Sequence, residues 1–328
     1  MKIHIPKYAL SAATLLLCAV AFGAAPPVIA QEKDILVPEA EAADEAADPL
    51  APVENAKIET VDADPALWLI KDEDTNIYLF GTVHILKPGL GWFDEAVKTA
   101  FDASDTLVME LPAGADAEAA QLFGKYGIDQ SGKSLRDKLS AEDRAVYEAA
   151  MKKLGLPEAS FDPLDPWAAG VTMQIMALTK AGYQPGSGAE TILQSSALVA
   201  KKPIKGLETA EYQLGLFDSL PEETQIEFLI EAARDLDATT ASLDDLVKSW
   251  AAGDPEKLAE LMNAGFSDPV LFEKLLTQRN ANWARWISDR MEKPGTIFIA
   301  VGAGHLSGPT SVPHLITAYG LKAERIVY

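Results

Sequence analysis

The chain has 328 residues, a formal net charge of -21 and 48% hydrophobic residues, the profile of a globular protein able to bury one large core or two modest ones. So acidic a body repels nucleic acid and anionic lipid surfaces, and neither is expected as a partner. The one cysteine, Cys18, lies in the leader described next, so the rest of the chain has no thiol for disulfides, thiolate metal sites or cysteine nucleophiles.

Lys2 and Lys7 precede an uncharged apolar run from Tyr8 to Ala25, followed by Val28-Ile29-Ala30. A basic start, a short apolar stretch and small or aliphatic residues before the cut describe a secretory signal peptide over residues 1–30, cleaved after Ala30. An uncleaved anchor is the alternative, but the run falls short of the ~20 residues a spanning helix needs. Loss of the two lysines takes the formal charge from -21 to -23. The expected product is periplasmic or otherwise exported, with no stable membrane association. Residues 31–62 read as a disordered acidic linker, because alanines and acidic residues around Pro38 to Pro49 have almost nothing large to bury.

Order is expected from about residue 63. Ala66 to Ile70 and Asn76 to Phe80 are β-prone runs separated by turn chemistry, hence a hairpin. The second run ends Gly81-Thr82-Val83-His84, placing a histidine at a strand's carboxyl end, where open sheets hold their ligands. Phe93, Val97, Ala100 and Phe101 recur at helical spacing. Thr106 to Met109 reads as a buried strand closed by Glu110-Leu111-Pro112. From about 115 to 292 the pattern is helical: a run opened by Asp165-Pro166, another after Gly188-Ala189-Glu190, a third after Pro221, and a long one from Pro269 to Met291. A short strand at Lys202 to Gly206 interrupts it and leads to Glu208. Then Thr296 to Val301, Gly302-Ala303-Gly304-His305, a Pro309-led helix and a strand near Glu324 to Val327 repeat the first plan. The fold class expected is α+β, with two β-GxxH-α-β units forming a central mixed sheet and a large helical insertion between them.

If the two units share one sheet, His84 and His305 converge on one edge, joined by the strand-end carboxylates Glu110 and Glu208. Two imidazoles and one or two carboxylates suit a divalent metal with an open position, able to lower the pKa of a bound water. Two unrelated loop histidines and two surface glutamates are the bland alternative. Arg279-Asn280 reads first as a water-exposed helix pair, although an arginine near a carboxylate-rich site could bind a substrate carboxylate or an oxyanion. His314 reads as a helix-surface residue. No nucleophile elbow or phosphate loop is present in the sequence.

From Pro65 to Tyr328 the chain resembles the TraB/GumN family, which includes bacterial pheromone-shutdown proteins and is related to Tiki-type metalloproteases. The residues that carry the likeness are Leu79 to His84, Met109 to Pro112, Gly206 to Thr209 with Gln213, Gln225, Arg279-Asn280 with Trp283, and Val301 to Leu306. The resemblance implies a fold like that of haem-binding ChaN-like proteins and erythromycin esterases (ChaN/EreA-like). It further implies a divalent metal, manganese or cobalt, with His84 and His305 as ligands, Glu110 as ligand or general base, and Glu208 and Arg279 in support. With the residue chemistry, the expected set is His84, His305, Glu110 and Glu208 on Mn, Co or Zn, with Glu110 and Arg279 catalytic. The expected function is an exported metal-dependent hydrolase acting on a peptide or protein substrate. The alternative is a non-catalytic protein that binds a peptide signal, haem or a metal through the same histidines.

Overall fold

The computed structural model describes residues 60–234, 236–265 and 269–328. The expected signal peptide and nearly all of the expected linker lie outside the described residues. A two-residue parallel pair joins Val61–Asp62 to Leu90–Gly91.

The predicted hairpin forms as β1 (Leu67–Lys71) and β2 (Thr75–Thr82), antiparallel, with Leu67 opposite Phe80. Its turn closes because Asp72 Oδ1 accepts from the backbone N–H groups of Thr75 at 2.8 Å and Asp74 at 3.1 Å, the local bonding that favours aspartate in turns. Helix α1 (Glu95–Ala103) leads to β3 (Thr106–Met109). With β4 (Ile204–Gly206), β5 (Gly295–Gly302) and β6 (Glu324–Ile326) these strands make one six-stranded sheet, ordered β4-β3-β5-β2-β1-β6. The run from β4 to β2 is parallel, while β1 is antiparallel to both its neighbours. The sheet is therefore mixed and the class α+β.

Sequence order and sheet order part company at β5. It lies between β2 and β3, so the strands of the first β-GxxH-α-β unit flank the leading strand of the second. After β5 the second unit returns through two short 3₁₀ turns, Ala303–Leu306 and Ile316–Tyr319, on either side of a four-residue helix, Val312–Leu315.

Side chains alternate across the sheet with the period of two that strands impose. On β5, Phe298 and Ala300 join Phe80, Leu107, Trp92 and Trp250 on one face, while Ile297, Ile299 and Val301 join Ile77, Leu79, Val108 and Ile287 on the other. Burying each large side chain contributes roughly 1.5–3 kcal/mol, so β5 is held from both sides.

Between β3 and β5 the chain is mostly helical: α2 (Ala115–Tyr126), α3 (Leu135–Lys138), α4 (Ala141–Leu154), α5 (Pro166–Lys180), α6 (Ala189–Val199), α7 (Ala210–Asp218), α8 (Glu222–Arg234), α9 (Leu236–Ala251), α10 (Pro255–Gly265), α11 (Pro269–Phe272) and α12 (Gln278–Met291). This region has cores of its own, one built on Tyr147, Met151, Met173 and Leu229, another on Trp167, Phe217 and Phe228. The long helix expected from Pro269 to Met291 is interrupted by a π turn at Glu273–Thr277, in which Gln278 N–H reaches back to Glu273 O. No helix among the described residues is long and apolar enough to cross a membrane.

Candidate functional site

Because β2, β5, β3 and β4 run parallel, their carboxyl ends open at one edge of the sheet. Past those ends stand, in turn, His84, His305, Glu110 and Glu208. Thr82 is opposite Gly302 in the register, which sets the two GxxH turns side by side. They touch at Gly81, where an added Cβ would come within 2.9 Å of Ala303 Cα. Only glycine admits that approach. Trp250 Nε1 donates to Gly81 O at 2.7 Å and fixes the same spot from below. Beyond β3, the N–H of Glu208 donates to Glu110 O at 2.9 Å, so the parallel ladder runs on far enough to bring both glutamates together.

The centre of the cluster is Arg279. It is 2% exposed, not the water-facing residue that a helix-surface pair would be. Its Nη2 donates to Glu110 Oε2 at 2.7 Å and Glu208 Oε2 at 2.8 Å, its Nε donates to Glu208 Oε1 at 3.0 Å, and its Nη1 donates to Leu275 O and pairs with His305 Nε2, each at 3.1 Å. All five guanidinium hydrogens are thereby used. The π turn contributes here, since Leu275 O is the carbonyl one helical turn back from Arg279. π turns of this kind commonly mark functional positions. Gln213 closes the cluster from α7, with Nε2 donating to Glu110 Oε2 at 3.0 Å and Glu208 Oε2 at 2.8 Å.

His305 is fully buried. Its Nδ1 lies 2.5 Å from Asn280 Oδ1 and its ring 4.3 Å from that of Trp283. An arginine can only donate, so Nε2 is the acceptor and Nδ1 carries the hydrogen toward Asn280. Burial first, then the Arg279 charge, hold this imidazole neutral, well below the usual histidine range. His84 differs. Its Nδ1 lies 2.6 Å from Glu190 Oε1 without the alignment of a hydrogen bond, and neither ring nitrogen nor either Glu190 oxygen has a hydrogen-bond partner. Burial opposes charge on His84, but Glu190, and then Glu110, outweigh it and raise the pKa above the ordinary value. Glu110 is itself desolvated, yet Arg279 above all, with the His84 charge and the N–H of Gly302, holds it down to about 2.

Residues 66–325 match the TraB/PrgY/gumN family. The chain belongs to that family. It is 22% identical over 253 residues to the uncharacterized protein YbaP of Escherichia coli (strain K12), covering 77% of this chain and 92% of YbaP, with the same figures for YbaP of Shigella flexneri. An uncharacterized protein of Treponema pallidum (strain Nichols) is 22% identical over 262 residues, 75% of this chain and 78% of that protein. No solved structure matches the chain.

In this TraB/PrgY/gumN chain the five expected residues, His84, Glu110, Glu208, Arg279 and His305, meet in one place. Gln213 and Asn280 join them as polar partners. Glu190 does so too, and sequence reasoning had given it only a place in a helix start. The small pair Gly188-Ala189 just before it lets a helix end approach a backbone closely, but nothing in the sequence points from it to His84. His314 is exposed and apart.

Among the described residues no three His, Cys, Asp or Glu side chains form a ready metal shell. Arg279 engages Glu110, Glu208 and His305 instead. The donor set still suits a divalent ion. A Cβ added to Gly302 would lie 3.2 Å from Glu110 Oε1, 3.5 Å from His84 Nε2 and 3.6 Å from His305 Cδ2, so the bare glycine leaves a cradle lined by expected ligands. His84 Nε2 is a buried nitrogen with no partner, and the three carboxyl groups of Glu110, Glu190 and Glu208 outnumber the guanidinium. His305 Nε2, 3.9 Å from Glu110 Oε1, could join only by releasing Arg279.

Proposed function

We propose that the protein is an exported, metal-dependent hydrolase acting on a peptide or protein substrate. The observation that carries this reading is the cradle at Gly302, where His84 Nε2, which has no partner, and Glu110 Oε1, which accepts from the Gly302 N–H at 2.8 Å, face the same small space. His84 and Glu110 would hold a divalent ion there, manganese, cobalt or zinc, with His305 as the third ligand. When bound, such an ion supplies Lewis-acid polarisation of a carbonyl and a water of lowered pKa. Glu110, held to about 2, stays ionised at neutral pH, which suits a ligand better than a proton acceptor. Arg279 and Gln213 fix Glu110 and Glu208 in orientation, and Arg279 adds fixed positive charge beside the reacting space. Asn280 and Trp283 hold the His305 ring.

The finer fold assignment, two GxxH turns on a ChaN/EreA-like sheet, belongs to the same proposal and draws on the parallel pairing of β2 with β5. Export rests on the leader sequence, and the charge of the chain argues against nucleic acid as a partner.

The test is metal content and peptide cleavage by the chain beginning at Gln31, beside His84→Ala and His305→Ala. Bound divalent metal is expected, with cleavage lost in both variants and after chelation. A chain that takes up no divalent metal at micromolar levels and cleaves no peptide library would sink the reading. A second reading, capture of a metal, haem or peptide signal without turnover, is favoured by enclosure: His84 is 5% exposed, Glu110 4% and His305 0%. Uptake without any cleavage would select it.

A further inference from the structure

The start of α6 runs along the loop that carries His84. Gln184 N–H donates to Leu86 O at 2.9 Å, and Ala189 N–H donates to Val83 O at 3.0 Å. Between them Gly188 passes so close that a Cβ on it would fall 2.1 Å from the His84 carbonyl oxygen. These backbone contacts fix the register of the helix start against the loop, and the residue that follows Ala189 is Glu190. Its carboxylate is mostly buried, at 17% side-chain exposure, and ends 2.6 Å from His84 Nδ1.

We propose that Glu190 is the positioning residue of His84, selecting the imidazole tautomer with hydrogen on Nδ1 and so presenting the Nε2 lone pair to the cradle at Gly302. At this separation the two tautomers differ sharply. A hydrogen on Nδ1 faces a carboxylate oxygen 2.6 Å away and is attracted by its charge even off the hydrogen-bond line, whereas a lone pair there would face another lone pair in a space of low dielectric. No hydrogen-bond partner at Nε2 competes for the hydrogen. A carboxylate behind a histidine is also a common way to fix its ring and raise its basicity toward a ligand. The inference rests on the reading above only in taking Nε2 as the ligand-facing atom.

The experiment is a long-range proton–nitrogen NMR spectrum of the ¹⁵N-labelled chain, free of metal and at a pH where the His84 ring is neutral, with the signal assigned from His84→Ala. Wild type is expected to hold mainly the Nδ1–H form. Glu190→Ala should move the population toward Nε2–H, the form that free imidazole side chains favour, and Glu190→Gln, which keeps an acceptor oxygen, should restore it. Titration with Mn(II) should show about 10- to 100-fold weaker binding for Glu190→Ala. A wild-type spectrum dominated by Nε2–H, or one that Glu190→Ala leaves unchanged, overturns the proposal. Should Glu190→Ala fail to fold, the wild-type and Glu190→Gln spectra decide it. Absence of Mn(II) binding and of cleavage in wild type would defeat the hydrolase reading while the tautomer still judges this one.

Discussion

His84 and His305 end neighbouring parallel strands in the same four-residue motif, yet their surroundings are opposite. His305 has both nitrogens engaged, by Asn280 and Arg279, with its ring against Trp283, and is held neutral. His84 has neither nitrogen hydrogen-bonded, faces Glu190, and has its pKa raised. A repeated motif thus supplies two equivalent positions in the backbone, and what packs behind each position decides what the side chain can do. One histidine is part of a closed network, and the other is held out with a free face.

The severest challenge to this contrast is removal of the charge that closes the network. Arg279→Met leaves Glu110 and Glu208 buried without their counter-ion, and a loss of about 3–5 kcal/mol is expected in chemical denaturation. Retention of wild-type stability would mean that the network is not what holds His305. Next, His305→Ala should cost about 2–4 kcal/mol, since it opens a cavity under Trp283 and strands Asn280 and Arg279. His84→Ala should cost less, about 1–2 kcal/mol, for the lost packing of a buried ring and of its contact with Glu190, with no aligned hydrogen bond to break. Equal costs in urea titrations would erase the distinction. Acid supplies a third probe. Glu110 has an ordinary value of 4.5 and is held at about 2 in the fold, so its contribution to stability is present above pH 4.5 and is lost as pH falls toward 2. Melting temperature should drop across that window, and Glu110→Gln should flatten the drop. Smallest in stability is Gly302→Ala, whose methyl meets neighbours at 3.2–3.6 Å, contacts that small shifts relieve. It should change stability by under about 1 kcal/mol while filling the cradle, so cleavage and Mn(II) uptake should fall together.

Much of this was written locally in the sequence. Glycine followed two residues later by histidine, at the end of an apolar run, reads as a strand end wherever it occurs, and Glu110 and Glu208 follow short strands in the same way. Sheet order was not legible, because nothing in β2 or β3 records that β5 will enter between them. As a pair with Asn280, Arg279 looked exposed, although it shares a stripe with Trp283 and Ile287 at intervals of four, both of which are buried. That stripe was the readable sign that the charge faces inward. Glu190 had no sign of that kind, since its contact with His84 depends on a helix start meeting a loop a hundred residues earlier in the chain. The π turn had none either, as its cause lies in packing.

That turn sets a helical phase. Within it, Leu275 and Leu276 point into two different cores, and downstream Trp283 and Ile287 point into a third. An unbroken α-helix of the same length would advance about 100° per residue and could not satisfy both sides. Deleting a single residue there would restore regular helical bonding, but one side would have to rotate: either the two leucines leave their cores, or Arg279, Asn280 and Trp283 swing away from the sheet edge together. The segment is thus one where chain length itself is under constraint, and a shorter, better-bonded helix would carry an empty site.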